Sequence, residues 1–256
     1  MTAVAPPRRR RRWIGWLIAL VILVALGIAA WFIGDRIARD YAESVVRDQL
    51  LLAFPSSDPV VTIGPGSVLA QALAGSLDTI HVDLGPTDLG GVTGDVSLDA
   101  EGVPLDVTKP ITTLAIDVAI GEAEAQQLIS GLDGLENATL SLTGDEISLD
   151  SSFTVFTATI PLGISFTPAA ADGAIELTPS AVSVNGAELS LTELASGPFG
   201  GVVSAIVKPQ TVCVAEYLPV VLRLTDAAVS DGRLLLSIDG SGVVLDGDEL
   251  ETLGTC

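Results

Sequence analysis

The chain has 256 residues, 32 of them acidic and 12 basic, for a net charge of −20. All 32 acidic residues follow Gly34 together with only seven basic ones, so residues 35–256 carry −25. A field of that sign repels nucleic acid and anionic surfaces, which excludes nucleic-acid binding, while the length after Gly34 is ample for one domain with its own core.

The N-terminus is Arg8–Arg12 followed by an uncharged run from Trp13 to Gly34. These 22 residues, as a helix, cover about 33 Å, enough to cross a bilayer core. Trp13 and Trp16 mark one end and Trp31 the other, as interfacial aromatics do. The arginine block predicts a cytoplasmic tail at 1–12, a membrane anchor at 13–34, and an extracytoplasmic domain at 35–256. A cleaved signal peptide shares the charged start and the small pair Ala29-Ala30. The apolar run is long for one, and Ile28 would stand at position −3, so an uncleaved anchor is the favoured reading.

"DRIARDYAESVVRDQLLLAF" predicts a helix over 35–54. Ile37, Ala38, Tyr41, Ala42, Val45, Val46 and Leu50 fall on one face at helical spacing. Arg36–Asp40, Arg39–Glu43 and Glu43–Arg47 are opposite charges four apart. The apolar stripe predicts packing against the following domain. A short helix is expected at "GSVLAQALAG", capped by Ser67, with Val68, Leu69, Ala72 and Leu73 as its buried stripe. A third is expected at Glu122–Ser130.

Most of the remainder alternates with period two. Ile80, Val82 and Leu84 point one way in "LDTIHVDL"; Leu114, Ile116, Val118 and Ile120 do so in "TTLAIDVAI". "FTATIPLGISF" sets Phe156, Ala158, Ile160, Leu162, Ile164 and Phe166 on one side, with Pro161 and Gly163 where a long strand would bend. Leu234, Leu236 and Ile238 end the series. Asp172-Gly173, Asn185-Gly186 and Asp231-Gly232 sit between alternating segments, where tight turns want positive φ. The fold expected is α+β: an antiparallel meander with few helices, its long amphipathic helix beside a strongly curved sheet.

No catalytic constellation emerges. The one histidine, His81, lies on the polar side of a strand, and no Gly-x-Ser-x-Gly occurs. Cys213 and Cys256 lack the close spacing of zinc ligands. As a disulfide they would close a 43-residue loop, worth roughly 3–4 kcal/mol, and would suit an exported domain. The acidic segment Asp239–Glu251 offers oxygen ligands, but its spacing misses the helix–loop–helix calcium pattern. Asn137-Ala138-Thr139 is a formal glycosylation sequon. No cofactor, metal or enzymatic activity is expected, which leaves a binder or, alternatively, an anchored scaffold presenting an acidic surface to a partner.

The order of segments carries a resemblance. The anchor with "DRIARDYAESVVRDQL", then "VLAQALAGSLDTIHVDLGPTDLGG", "IPLGISFTPAAADGAIELTPSAVSVNGAEL" and "CVAEYLPVVLRLTDAAVSDGRLLLSIDGSGVVL" resemble the LmeA-like phospholipid-binding proteins of the actinobacterial envelope. The resemblance implies a fold like one half of the tubular lipid-binding (BPI-like) proteins, with a curved sheet wrapped around a long helix. It implies an apolar groove for acyl chains and a role in envelope lipid or lipoglycan assembly. The inward residues expected to line such a groove are Leu69, Leu73, Ile116, Val118, Ile160, Leu162, Ile164 and Phe166. Lys208 and Arg223 are the head-group candidates, because cations are so scarce here.

Overall fold

The computed structural model describes residues 11–55, 57–89, 91–130, 138–155, 158–184, 187–189 and 208–256. It is an α+β protein: one long helix, then strands in two antiparallel sheets with two short helices. Helix α1 runs unbroken from Arg11 to Ala53. The first sheet holds β1 (Val60–Ile63), β2 (Ser76–Asp88), β3 (Thr93–Pro104), β4 (Pro110–Gly121), β12 (Arg233–Val244) and β11 (Leu222–Ser230), in that spatial order. The second is ordered β10 (Gln210–Cys213), β8 (Ala174–Val184), β7 (Ala158–Ala171), β6 (Glu146–Val155), β5 (Thr139–Thr143), with β9 (Ala187–Leu189) also on β8. Helix α2 (Val68–Ala74) precedes β2, and α3 (Glu122–Ser130) joins β4 to β5 across the two sheets.

The period-two pattern predicts the core well. Ile80, Val82, Leu84, Val118, Ile120 and Ile238 are buried, and Ile116, Leu234 and Leu236 pack against them. Leu140, Leu142 and Ile147 of the second sheet belong to the same core, so the two sheets share one interior. The turns follow their sequence signals. Asp172 (φ 48°) and Gly173 (φ 81°) join β7 to β8, and Asp231 (φ 52°) and Gly232 (φ 72°) join β11 to β12. Asn185-Gly186 and Phe156 lie outside the described residues. In β7 the register against β8 shifts between Ser165 and Phe166, rather than at the expected Pro161 or Gly163.

Helix α1 lies along the outer edge of the first sheet, against β1 and α2. Ala38, Ala42, Val46 and Leu50 meet the core, while Ile37, Tyr41 and Val45 stay exposed. The stripe that packs is therefore narrower than the stripe in the sequence, because small alanines set the approach. These contacts do not bear out a sheet curled around the helix. Residues Leu20–Ile33 of α1 are exposed and apolar, long enough with their neighbours to cross a membrane; a signal sequence meets the same description.

The charges on α1 do something the sequence does not announce. Arg39 donates to the carbonyls of Ile63, Gly64 (3.0 Å) and Gly66 (2.8 Å). Glu43 accepts from Ile63 N at 3.1 Å, and Arg47 Nε donates to Pro59 O at 2.9 Å. Among the described residues the ion pairs are His81–Asp99, Lys109–Asp106 and Arg233–Asp95, so the expected pairs along α1 do not close. The second sheet repeats the device at its β5 edge. Glu122 accepts from Leu142 N at 2.9 Å; Gln126 accepts from Leu140 N at 2.6 Å and donates to Ala138 O at 2.9 Å. Helical residues four apart rise about 6 Å, close to the span of about 6.6 Å between alternate strand residues. A helix beside an edge strand can thus pair with every second backbone group and close the edge to other chains.

Candidate functional site

Three groups emerge from the residues expected at a groove. Val118 is 7% exposed, and Ile116 packs beside it; both belong to the shared interior. Leu162, Ile164 and Phe166 of β7 are half-buried and stand outside that core cluster. The side chain of Ile160 lies outside the described residues. Leu69 and Leu73 are on α2, remote in the sequence of contacts from β7: α2 touches α1 and β2. The α2 stripe is also rotated from expectation. Val68 and Gln71 are its buried residues, and Leu73 is 84% exposed. Gln71 tolerates burial because its amide is bonded at both ends, to Asp78 N (3.0 Å) and Pro65 O (3.4 Å).

Cross-strand register places the β7 residues on an apolar face. Phe166 is opposite Ile147, and Ile164 is opposite Leu149 on β6 and Val182 on β8. Leu162 is opposite Val184. The other face is polar, with Ser148 bonded to Ser165 at 2.9 Å. On this face Ile147 and Val182 are buried, while Leu149, Leu162, Ile164, Phe166 and Val184 are half-buried. An apolar strip thus leaves the shared core along β7 and β8.

The cations divide as well. Lys109 and Arg233 are paired with Asp106 and Asp95, and Arg39 and Arg47 are spent on the β1 edge. Lys208 and Arg223 are exposed, and among the described residues their side chains bond to nothing. Arg223 borders a cleft of about 500 Å³ where the sheets meet, lined also by Gly173, Ala215, Leu218, Leu222 and Thr255. Cys213 and Cys256 form a disulfide beside it, closing the 43-residue separation and holding Cys256 to the end of β10. The terminus is further held by Gly254 N to Leu218 O at 2.9 Å and Val220 N to Thr252 O at 2.8 Å. Arg36, expected only as a partner of Asp40, is exposed, bonded to nothing among the described residues, and about half a turn from the apolar half of α1.

The outer face of the first sheet is acidic. Asp83, Asp95, Asp117 and Asp226 surround a cleft of about 350 Å³. Three are engaged by neighbours: Asp95 by Arg233 and Asp117 by Ser237, each at 2.6 Å, and Asp83 by the backbone N–H of Gly85 at 2.9 Å. No group of three metal-ligating side chains is poised for an ion among the described residues. His81 bonds Asp99 at 2.8 Å on the surface.

The pattern that defines the LmeA-like phospholipid-binding family matches residues 24–239, from the apolar half of α1 to β12. The chain belongs to the LmeA-like phospholipid-binding family. The match spans α1, both sheets and the β7–β8 hairpin, so the apolar strip and the cleft at Arg223 both fall within it. No curated protein and no solved structure matches the chain. Lipid binding is the activity that membership in the LmeA-like family supports.

Proposed function

We propose that this protein is a membrane-anchored, extracytoplasmic carrier that holds phospholipid acyl chains in an apolar groove and serves envelope lipid or lipoglycan assembly. The observation that carries the reading is the family match across both sheets. The physical support is the strip of Leu162, Ile164, Phe166 and Val184, which continues the core's apolar face into half-buried positions. Each buried methylene contributes about 0.8 kcal/mol, so two acyl chains can hold a lipid with modest head-group contacts. Beyond α1, Lys208 and Arg223 are the cations left among the described residues for an anionic head group. The groove is non-catalytic, and the anchor is α1 over residues 13–34, with 1–12 in the cytoplasm.

Native mass spectrometry of the full chain, with organic extraction of what travels with it, tests the reading. Lipid of defined mass is expected on the native chain and lost from Phe166→Asp. Lys208→Ala with Arg223→Ala is expected to weaken binding of phosphatidylglycerol and spare phosphatidylcholine. A native chain that stays lipid-free when both are offered overturns the carrier and favours an anchored scaffold using the acidic face around Asp83, Asp95 and Asp117.

A further inference from the structure

The bonds between α1 and the segment after it form an ordered ladder. Pro59 meets Arg47, Ile63 meets Glu43, Gly66 meets Arg39, and Ser67 and Leu69 meet Asp35. Forward along the chain from 59 to 69 is backward along α1, toward its apolar half. The ladder ends at the last residue of the apolar run: a Cβ at Gly34 would lie 3.5 Å from Leu69 Cδ1. Helix α2 is therefore level with the end of the span. The β3–β4 turn adjoins the other end of α2: Leu105 N donates to the carbonyl of Gly75, the residue that caps the helix.

That end of the domain exposes apolar side chains. Leu73 is 84% exposed, Leu105 54% and Val107 49%. Arg36, about half a turn into the domain half of α1, is an exposed cation bonded to nothing among the described residues. We propose that Leu73, Leu105 and Val107 form a docking tip that enters the surface of the same bilayer that α1 spans, with Arg36 at the level of the lipid phosphates. The occupant is the bilayer and not a protein, because α2, which carries Leu73, packs at the end of the apolar run of α1, whose residues Leu20–Ile33 are exposed all round. Because the span and the tip share one chain, docking is intramolecular, and a small apolar patch is sufficient. The inference rests on the anchored reading of α1. It gives the domain a fixed attitude on the membrane, set by two points of contact rather than one.

The test uses the full chain in phosphatidylcholine nanodiscs containing brominated acyl chains, which quench tryptophan on contact. Native fluorescence comes from Trp13, Trp16 and Trp31, all on α1, and its quenching reports the anchor. With those three replaced by Phe, single reporters are placed at Leu73→Trp, Leu105→Trp and, as a control on an edge strand of the second sheet, Val212→Trp. At least about twofold quenching is expected at 73 and 105, as for a ring ~5–10 Å below the head-group boundary, and essentially none at 212. Quenched native tryptophans with reporters at 73 and 105 no more quenched than 212 overturn the docking tip and leave the anchor standing. Unquenched native tryptophans overturn the anchor and the tip together. Methyl spectra of the unsubstituted chain, with gadolinium-bearing head groups in the disc, provide the check free of substitutions. Leu73, Leu105 and Val107 should broaden while Val212 does not, and equal broadening at all four again removes the tip.

Discussion

Glu43 on α1 accepts a hydrogen bond from the backbone N–H of Ile63, the last residue of the edge strand β1, at 3.1 Å. The bond satisfies an edge donor that the sheet cannot, and it sits between the two arginine contacts from Arg39 and Arg47. Glu43→Ala leaves that donor without its partner and should cost about 1–3 kcal/mol. Amide exchange at Ile63 should speed up accordingly, while Ile80, across the β1–β2 ladder, changes less. Unchanged exchange at Ile63 would show that water replaces the carboxylate at no cost. Glu122→Ala is the matching experiment at Leu142 on β5, where the same geometry operates.

Asp35 links pH to the seating of α2. Its carboxyl is held below its ordinary value of 3.8, first by the Leu69 backbone N–H and next by the Ser67 hydroxyl. A depressed carboxylate stabilises the folded state above its unfolded value, and that contribution is lost as pH falls through the folded value. The tie should therefore be complete at neutral pH and fade in acid below about 3.8. The Leu69 amide resonance, followed from pH 7 downward, should move with a midpoint below the ordinary carboxyl range. Asp35→Asn should abolish that movement; a variant that still titrates would assign it to another group.

Gly173 and Gly232 occupy equivalent second positions of two-residue turns, with φ of 81° and 72°. Alanine at either position carries the left-handed backbone cost of about 1–2 kcal/mol. They differ in space. A Cβ at Gly173 would lie 3.0 Å from the Ala215 Cβ, whereas at Gly232 the nearest atom is 3.9 Å away. Gly173→Ala should be the more destabilising of the pair in denaturant unfolding, and equal losses would mean that Ala215 gives way freely.

The disulfide offers a fourth measurement. Cys256→Ser removes the closure of a 43-residue separation and should lower stability by roughly 3–4 kcal/mol on the chain-entropy account. Because Gly254 and Thr252 remain bonded to Leu218 and Val220, exchange at Val220 should rise only partly. Full loss of its protection would place the whole hold on the sulfurs.

The sequence was most legible where one face of an element decides its fate. Ile80, Val82 and Leu84, or Leu234, Leu236 and Ile238, announce their strands because period two can be buried in one way. Asp172-Gly173 and Asp231-Gly232 announce turns because few residues accept positive φ. What stayed hidden depends on partners distant in the chain. The charges of Arg39, Glu43 and Arg47 look like pairs four apart, since periodicity shows a helix its own neighbours and not a strand's backbone. Gln71 reads as polar surface until Asp78 and Pro65 come to satisfy it. Leu73 reads as part of a buried stripe until α2 is seen resting on Val68 and Gln71. The division of the strands into two sheets depends on β4 choosing β12, well over a hundred residues away, which no local pattern encodes.

Helix α1 passes from its apolar half to its domain half with no hinge between them. A rigid rod transmits rotation as well as position. One residue added near Gly34 would turn everything beyond it by about 100° and lift it about 1.5 Å. Seven added residues would nearly restore the facing, about two turns higher. The linkage thus behaves as a keyed shaft: under the anchored reading proposed above, the number of residues on it, not only their hydrophobicity, dictates which side of the domain looks at the membrane.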